Sequence, residues 1–232
     1  MAVILPFDDA RPFSVRKIRP AIELARRRLE RDQTLSESTT IAFHYGDSRC
    51  DSAHAINEAI RQHILYGVDV FLGPVCDYAV SSLARQCKLW NLPLVSCGAM
   101  ARAFTSAKKS TFSTLTRVGP VNLHSLSIMF KLILSHFNWK HVNLLFEVVA
   151  KDQHMKGFCY VAMNAVYVIR RDKEASIQMT SAQLDYTRDY GEIFSKKIST
   201  DFADSCVNSV SSEATTLTFD QFLLTNLLQL HV

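Results

Sequence analysis

The 232-residue sequence predicts an α/β protein built on a parallel sheet. Two observations predict it. Ala2 to Leu5 is a short continuous apolar run and Val68 to Leu72 is apolar but for Asp69, each stopped by proline or glycine, as in strands buried in a sheet. Segments with helical apolar spacing follow them, so strand and helix alternate along the chain.

In order, Ala2 to Leu5 reads as the first strand, with Asp8 and Asp9 beyond its carboxyl end. Val15, Ile18, Ile22, Ala25 and Leu29 then recur at spacings of three and four, the apolar face of an amphipathic helix. Its arginines, interspersed with Glu23 and Glu30, read as a solvated face rather than a nucleic-acid patch. Thr39 to Tyr45 is the second predicted strand, and Ser52 to Tyr66 the second helix, with Ala55, Ile56, Ala59, Ile60 and Ile64 facing inward. Val68 to Leu72 and Asp77 to Trp90 repeat the unit, and Pro93 to Ser96 is a fourth strand ending in Cys97-Gly98.

A Ser/Thr/Lys-rich loop, Ala103 to Thr111, leads to a strand from Phe112 to Val118. At Gly119-Pro120 the pattern starts afresh with a helix Val121 to Phe137, a strand Val142 to Phe146 and a helix Gly157 to Arg171. A strand Ala175 to Thr180 and a helix Tyr190 to Ser199 follow. From Val207 the chain reads as a Ser/Thr-rich loop and a weakly amphipathic helix, Phe219 to Leu230. The domain expectation is a first lobe at 1–118, a partial second lobe at 119–200 and a divergent tail at 201–232.

Composition excludes little: 48% hydrophobic and 21% charged residues suit a packed core, and a net charge of +4 spread along the chain names no partner. Met1 to Leu5 is too short for a secretory leader. Phe219 to Val232, interrupted by polar residues, is too short to span a bilayer. Among enzyme signatures, the chain has no Gly-x-Gly-x-x-Gly after a strand, no Gly-x-x-x-x-Gly-Lys, no Gly-x-Ser-x-Gly and no His-Glu-x-x-His. No catalytic residue is therefore assigned. The six cysteines lack Cys-x-x-Cys spacing and the eight histidines are scattered, which argues against zinc.

The turn Gly73-Pro74-Val75-Cys76 carries the clearest functional expectation. The helix begins at once after it, so the N–H groups of Val75 and Cys76 are suited to a small anion. Asp47-Ser48-Arg49-Cys50 sits at the same end of a neighbouring strand. Ligands of such sheets belong at this carboxyl end.

Those two stretches, with Leu5-Pro6-Phe7-Asp8-Asp9, Arg19-Pro20-Ala21-Ile22-Glu23, Trp90-Asn91-Leu92-Pro93-Leu94 and Leu115-Thr116-Arg117-Val118-Gly119-Pro120, keep the order and spacing of a known family. The chain resembles the extracellular ligand-binding domain of natriuretic peptide receptors and related receptor guanylate cyclases. The resemblance covers residues 1–200. It implies a type I periplasmic-binding-protein-like fold, with one doubly wound lobe and an incomplete second one. The function it implies is peptide-hormone binding in a transmembrane signalling receptor, at the extracellular face of the plasma membrane, with any cyclase in an intracellular region outside this chain.

Residue by residue, the resemblance pairs Cys50 with Cys76 and Cys159 with Cys206, and makes Ser48 with the amides of Val75 and Cys76 a chloride site. Read from the residues alone, Ser48 equally caps the following turn. Tyr78 and, on the second lobe, Tyr160 match peptide-contacting positions, against the reading that Tyr78 merely packs on its neighbour helix. Asp51 either faces a basic peptide or is an exposed loop acid. Trp90 lies near the family's dimer surface or ends its helix in the core, and homodimerisation follows from the resemblance alone. Cys87 and Cys97 read as buried free thiols. Two alternatives stay open: a small-molecule sensor of the same fold, pairing Ser96 with Thr116 or Arg117 across a cleft, and a soluble non-signalling decoy.

Overall fold

A computed structural model describes residues 1–34, 36, 39–149, 152–172 and 176–184. Strand β1 (Ala2–Leu5) is buried at all four positions, and its two faces go to different helices. Ala2 and Ile4 join a cluster with Ala55 and Ala59 of α2 (Ser52–Tyr66) and Ala79, Val80 and Leu83 of α3 (Asp77–Trp90). Val3 and Leu5 meet Val15, Ile18 and Ile22 of α1 (Val15–Arg31) on the opposite face. The two-residue alternation of a strand thus dictates helices on both sides.

Strands β2 (His44–Asp47), β3 (Phe71–Leu72), β4 (Leu94–Ser96) and β5 (Leu115–Arg117) complete a five-stranded parallel sheet of order β2-β1-β3-β4-β5. Chain direction across the sheet reverses between β1 and β3, and in open α/β sheets that switch point is where ligands bind. A second sheet pairs β6 (His141–Glu147) with β7 (Gln178–Leu184), also parallel. It packs with α5 (Leu123–His136) and α6 (Phe158–Tyr167) through Leu134, Leu144, Val166, Ile169 and Met179. A 3-10 turn, Val168–Arg171, extends α6, so the helix predicted to Arg171 tightens in its last turn.

Both α2 and α3 have their predicted bounds, as does β1; the other strands do not. β2 starts at His44 rather than Thr39 because its partner β1 supplies only four residues, Ala2 opposite His44 through Leu5 opposite Asp47. β7 starts at Gln178 and runs to Leu184, matching the seven residues of β6 one for one. The predicted loop Ala103 to Thr111 contains a short helix, α4 (Arg102–Ser106), whose Phe104 is buried against Phe112 at 4.8 Å. The Lys108 ammonium closes that loop by donating to the carbonyls of Phe112, Ser113 and Leu115.

On α2, Ile60 and Ile64 were expected inside, yet Ile64 is 74% exposed. The buried stripe is Ala55, Ala59 and Gln62, because small residues let the helix approach the sheet closely; the Gln62 side-chain N–H donates to Glu58 at 3.0 Å, while its amide oxygen has no hydrogen-bond partner among the described residues. Cys87 is buried as expected; Cys97, placed just past the end of β4, is exposed instead. The predicted helices Tyr190 to Ser199 and Phe219 to Leu230 and the tail 201–232 lie outside the described residues. Among the described residues no helix is long and apolar enough to cross a membrane.

Gly73 ends β3 with φ +79°, and a Cβ there would stand 2.4 Å from the Ile4 carbonyl oxygen. Gly67, the left-handed C-cap of α2, has no atom within 4 Å of such a Cβ. Gly73→Ala is therefore expected to cost on the order of 2–4 kcal/mol, and Gly67→Ala about 1–2 kcal/mol of backbone strain alone. Thermal melts of the two variants test the difference; equal losses would remove the close approach as the cause.

Candidate ligand-binding face

The carboxyl ends of β2 and β3 flank that of β1, and their following loops are tied by a Cys50–Cys76 disulfide with Cα atoms 5.4 Å apart. The bridge passes over the switch point. Both cysteines are essentially buried. Arg49 and Cys50 take left-handed backbone angles, φ 49° and 53°, which turn the loop back so that Asp51 can cap α2. Asp47 fixes this loop by accepting from the N–H groups of Phe7 at 3.0 Å and Arg49 at 2.9 Å.

Ser48 is wholly buried, its N–H donating to the Leu5 carbonyl at 3.1 Å and its hydroxyl accepting from the Cys50 N–H at 3.3 Å. Opposite, Cys76 is the N-cap residue of α3 with no side-chain cap, and the N–H groups of Val75 and Cys76 donate to no backbone acceptor among the described residues. Asp77, the next residue, turns its carboxylate to the other side, accepting from the Met100 N–H at 2.7 Å. Burial pushes its carboxyl up to about 6, partly offset by the Met100 and Ala101 amides and by Arg117. The donors of the turn thus meet no competing carboxylate from Asp77.

Tyr78 is 46% exposed and Tyr160, from the second lobe, 51%. The loop leading into α6, the helix that bears Tyr160, lies against Tyr78. Burial raises the Tyr78 hydroxyl above its ordinary range, and Tyr160, Asp77 and Asp152 push it the same way. Gly157, left-handed at φ +72°, lets the backbone before α6 lie on the Tyr78 ring, where a Cβ would stand 2.5 Å from Cε2. The Asp51 carboxylate caps α2 through the N–H groups of Ala53 at 2.9 Å and His54 at 3.1 Å, and holds the His54 ring at 3.0 Å. The His54 ring and amide hold its carboxyl below the ordinary range. One oxygen of Asp51 remains turned to Lys156 at 3.9 Å.

The residues around Met155 carry the lobe contact, and nothing in their sequence pattern marks them. Met155 packs against the core clusters on both faces of the first sheet. Beside it, the Arg11 guanidinium donates to the His154 carbonyl at 2.9 Å, and the Gly157 N–H to Asp152 at 2.7 Å. Two of the three polar groups expected in a small-molecule cleft are engaged elsewhere: the Ser96 hydroxyl donates to the Pro74 carbonyl at 2.6 Å and accepts from Gly98 at 3.0 Å, and Arg117 donates to the Ala99 carbonyl at 3.2 Å, while Thr116 is exposed. Trp90 stacks on His63 at 4.4 Å and Phe71 at 6.0 Å, half-buried at the base of the lobe. Burial pushes the Cys87 thiol up to about 12, so it is inert at neutral pH. Cys159 is half-buried, and its expected partner Cys206 lies outside the described residues. No cluster of His, Cys, Asp and Glu among the described residues is arranged to hold a metal ion.

A sequence model described as a receptor family ligand binding region matches residues 17–216. The chain belongs to this family of receptor ligand-binding regions. It is 33% identical over 193 residues to atrial natriuretic peptide receptor 3 of Rattus norvegicus, which covers 81% of this chain and 35% of that protein. Against the Homo sapiens receptor of the same name identity is 33% over 193 residues, 34% of its length. Against atrial natriuretic peptide receptor 2 of Bos taurus it is 32% over 140 residues, 60% of this chain and 13% of that protein. The chain thus spans about a third of the receptor 3 relatives. It is a natriuretic-peptide-receptor-like ligand-binding domain with a periplasmic-binding-protein-like fold.

Two measurements test the site's physical chemistry. Replacing both bridged cysteines with serine is expected to lower stability by about 3–4 kcal/mol on the chain-entropy model for a 26-residue separation, read by denaturant titration. For Asp77, the folded-state value near 6 lies above the ordinary 3.8, so the fold binds the proton more tightly than the unfolded chain does. Its stabilising contribution is full below about 3.8 and is lost as pH rises through about 6. Relative to Asp77→Asn, the wild type should therefore gain thermal stability between pH 7 and pH 5; a constant difference would contradict the burial of the charge.

Proposed function

We propose that the protein is the peptide-binding part of a natriuretic-peptide-receptor-like transmembrane signalling receptor, and that its ligand lies against Tyr78 and Tyr160. The observation that carries this reading is the loop before α6 lying on the Tyr78 ring, which sets two half-exposed tyrosines, Tyr78 and Tyr160, near one another beside the disulfide-locked turn. Large, stiff aromatic side chains give contact area at small entropic cost, and they dominate peptide and protein recognition. Asp51 and Asp152 at the rim favour a ligand with basic residues. The engaged state of Ser96 and Arg117 favours a peptide lying across the lobes over an amino acid enclosed between them.

In this reading Ser48 and the amides of Val75 and Cys76 hold a chloride ion, which neutralises the positive end of α3 and stiffens the turn preceding Tyr78. Ligand binding acts at the extracellular face and signals by shifting a homodimer between arrangements, powered by the ligand's unequal contacts with each. Catalysis, where such a receptor has it, belongs to regions outside this chain. The reading gives Trp90 a core role, in keeping with its stacking on His63 and Phe71.

Fluorescence anisotropy of a labelled natriuretic peptide tests both parts. Micromolar or tighter binding is expected, with Tyr78→Ala or Tyr160→Ala weakening it tenfold or more at an unchanged melting temperature. Exchange of chloride for gluconate should weaken binding in the wild type and have no further effect in Ser48→Ala. Binding of free amino acids with no response to any peptide would instead select the small-molecule reading.

A further inference from the structure

We infer that the outward stripe of α1 binds a linear sulfated polysaccharide. The helix carries seven cations and two carboxylates, a surplus of five in 17 residues, whereas the whole chain has a net charge of only +4. Interspersed acids suggest mutual neutralisation in the sequence, but the structure arranges them otherwise. Glu23 and Glu30 both engage the single Arg26, at 3.1 and 2.8 Å. Arg27 and Arg31 are exposed and have no acidic partner among the described residues, and the 80% exposed Arg28 reaches only the outer edge of Asp32 at 3.5 Å.

At 100° per residue, Leu24, Arg27, Arg28 and Arg31 fall on one side of the helix, opposite Ile18 and Ile22, which pack on the sheet. Three guanidinium-bearing residues are thus presented within about 6 Å along the axis, a little over one turn. Planar guanidinium forks pair with sulfate oxygens as they do with carboxylate or phosphate, and a run of anions releases bound counterions on contact. Four basic residues in six, Arg26 to Arg31, are a recurrent form of heparin-type patch.

Two other polyanions fit less well. An anionic bilayer needs a broad apolar face to bury, and in α1 that face is occupied by the sheet, leaving Leu24, 66% exposed, and part of Leu29, 36% exposed. Single-stranded nucleic acid is held by stacking, and this stripe carries no aromatic side chain. The polysaccharide needs only spaced cations. The site stands on a different face from Tyr78, so it is independent of the peptide reading.

Binding of a heparin dodecasaccharide to the full chain at physiological salt is the test. Affinity should fall steeply with added salt, be lost for the desulfated oligosaccharide, and drop at least tenfold in R27Q/R28Q/R31Q. The double variant R27Q/R31Q, whose side chains pair with no acid among the described residues, should also weaken binding while melting at the wild-type temperature. The control R102Q/K109Q should bind as the wild type does. Absence of binding by the wild type, undiminished binding by the double variant, or tighter binding to phosphatidylserine vesicles or single-stranded DNA would each overturn the assignment.

Discussion

The Cys50–Cys76 bridge is the constraint on which the ligand-binding end depends. It ties together the loops after β2 and β3, the two neighbours of β1, and so closes the switch point of the sheet from above. Without it, two loops rich in polar backbone would rely on the short ladders of β2 and β3. With it, Ser48 is buried beneath one loop and the start of α3 is held in the other. The position of Tyr78, one residue into that helix from Asp77, follows directly from this anchoring.

The second constraint is the packing of Met155 into the first lobe. A flexible, apolar side chain reaches both core clusters from the loop before α6, and the Arg11–His154 and Asp51–Lys156 contacts lie around it. This arrangement sets where α6 starts, hence where Tyr160 stands relative to Tyr78. The lobe contact therefore shapes the binding face by apolar packing first and by weak, exposed charge pairing second. The buried Asp77 adds a cost to the same region at neutral pH, since its second carboxylate oxygen has no hydrogen-bond partner among the described residues.

Charge on α1 shows how pairing geometry alters what a composition means. A single arginine flanked by two glutamates at i−3 and i+4 collects both carboxylates, and the neighbouring arginines remain available to solvent or to a polyanion. The sequence reading of a solvated, balanced face counted charges along the chain. The helix places them around a circle.

Residue pattern alone determined the alternation of strands and helices, the ends of α2 and α3, and the turn at Gly73-Pro74, because helical periodicity, a capping Asp51 and a Gly-Pro stop are local signals. The family was legible too, since the stretches that mark it are the turns and strand ends of the first lobe. What only the tertiary structure decided is everything set by partners distant in sequence. β2 is short because β1 is short; Gln62 rather than Ile64 is buried because α2 presents its alanines to the sheet. Tyr78 and Tyr160 come together because Met155, 77 positions from Tyr78, is apolar enough to be drawn into a core that contains none of its neighbours in sequence. Hydrophobic burial carries no record of chain order, and so the binding face, unlike the elements that bear it, is written only in three dimensions.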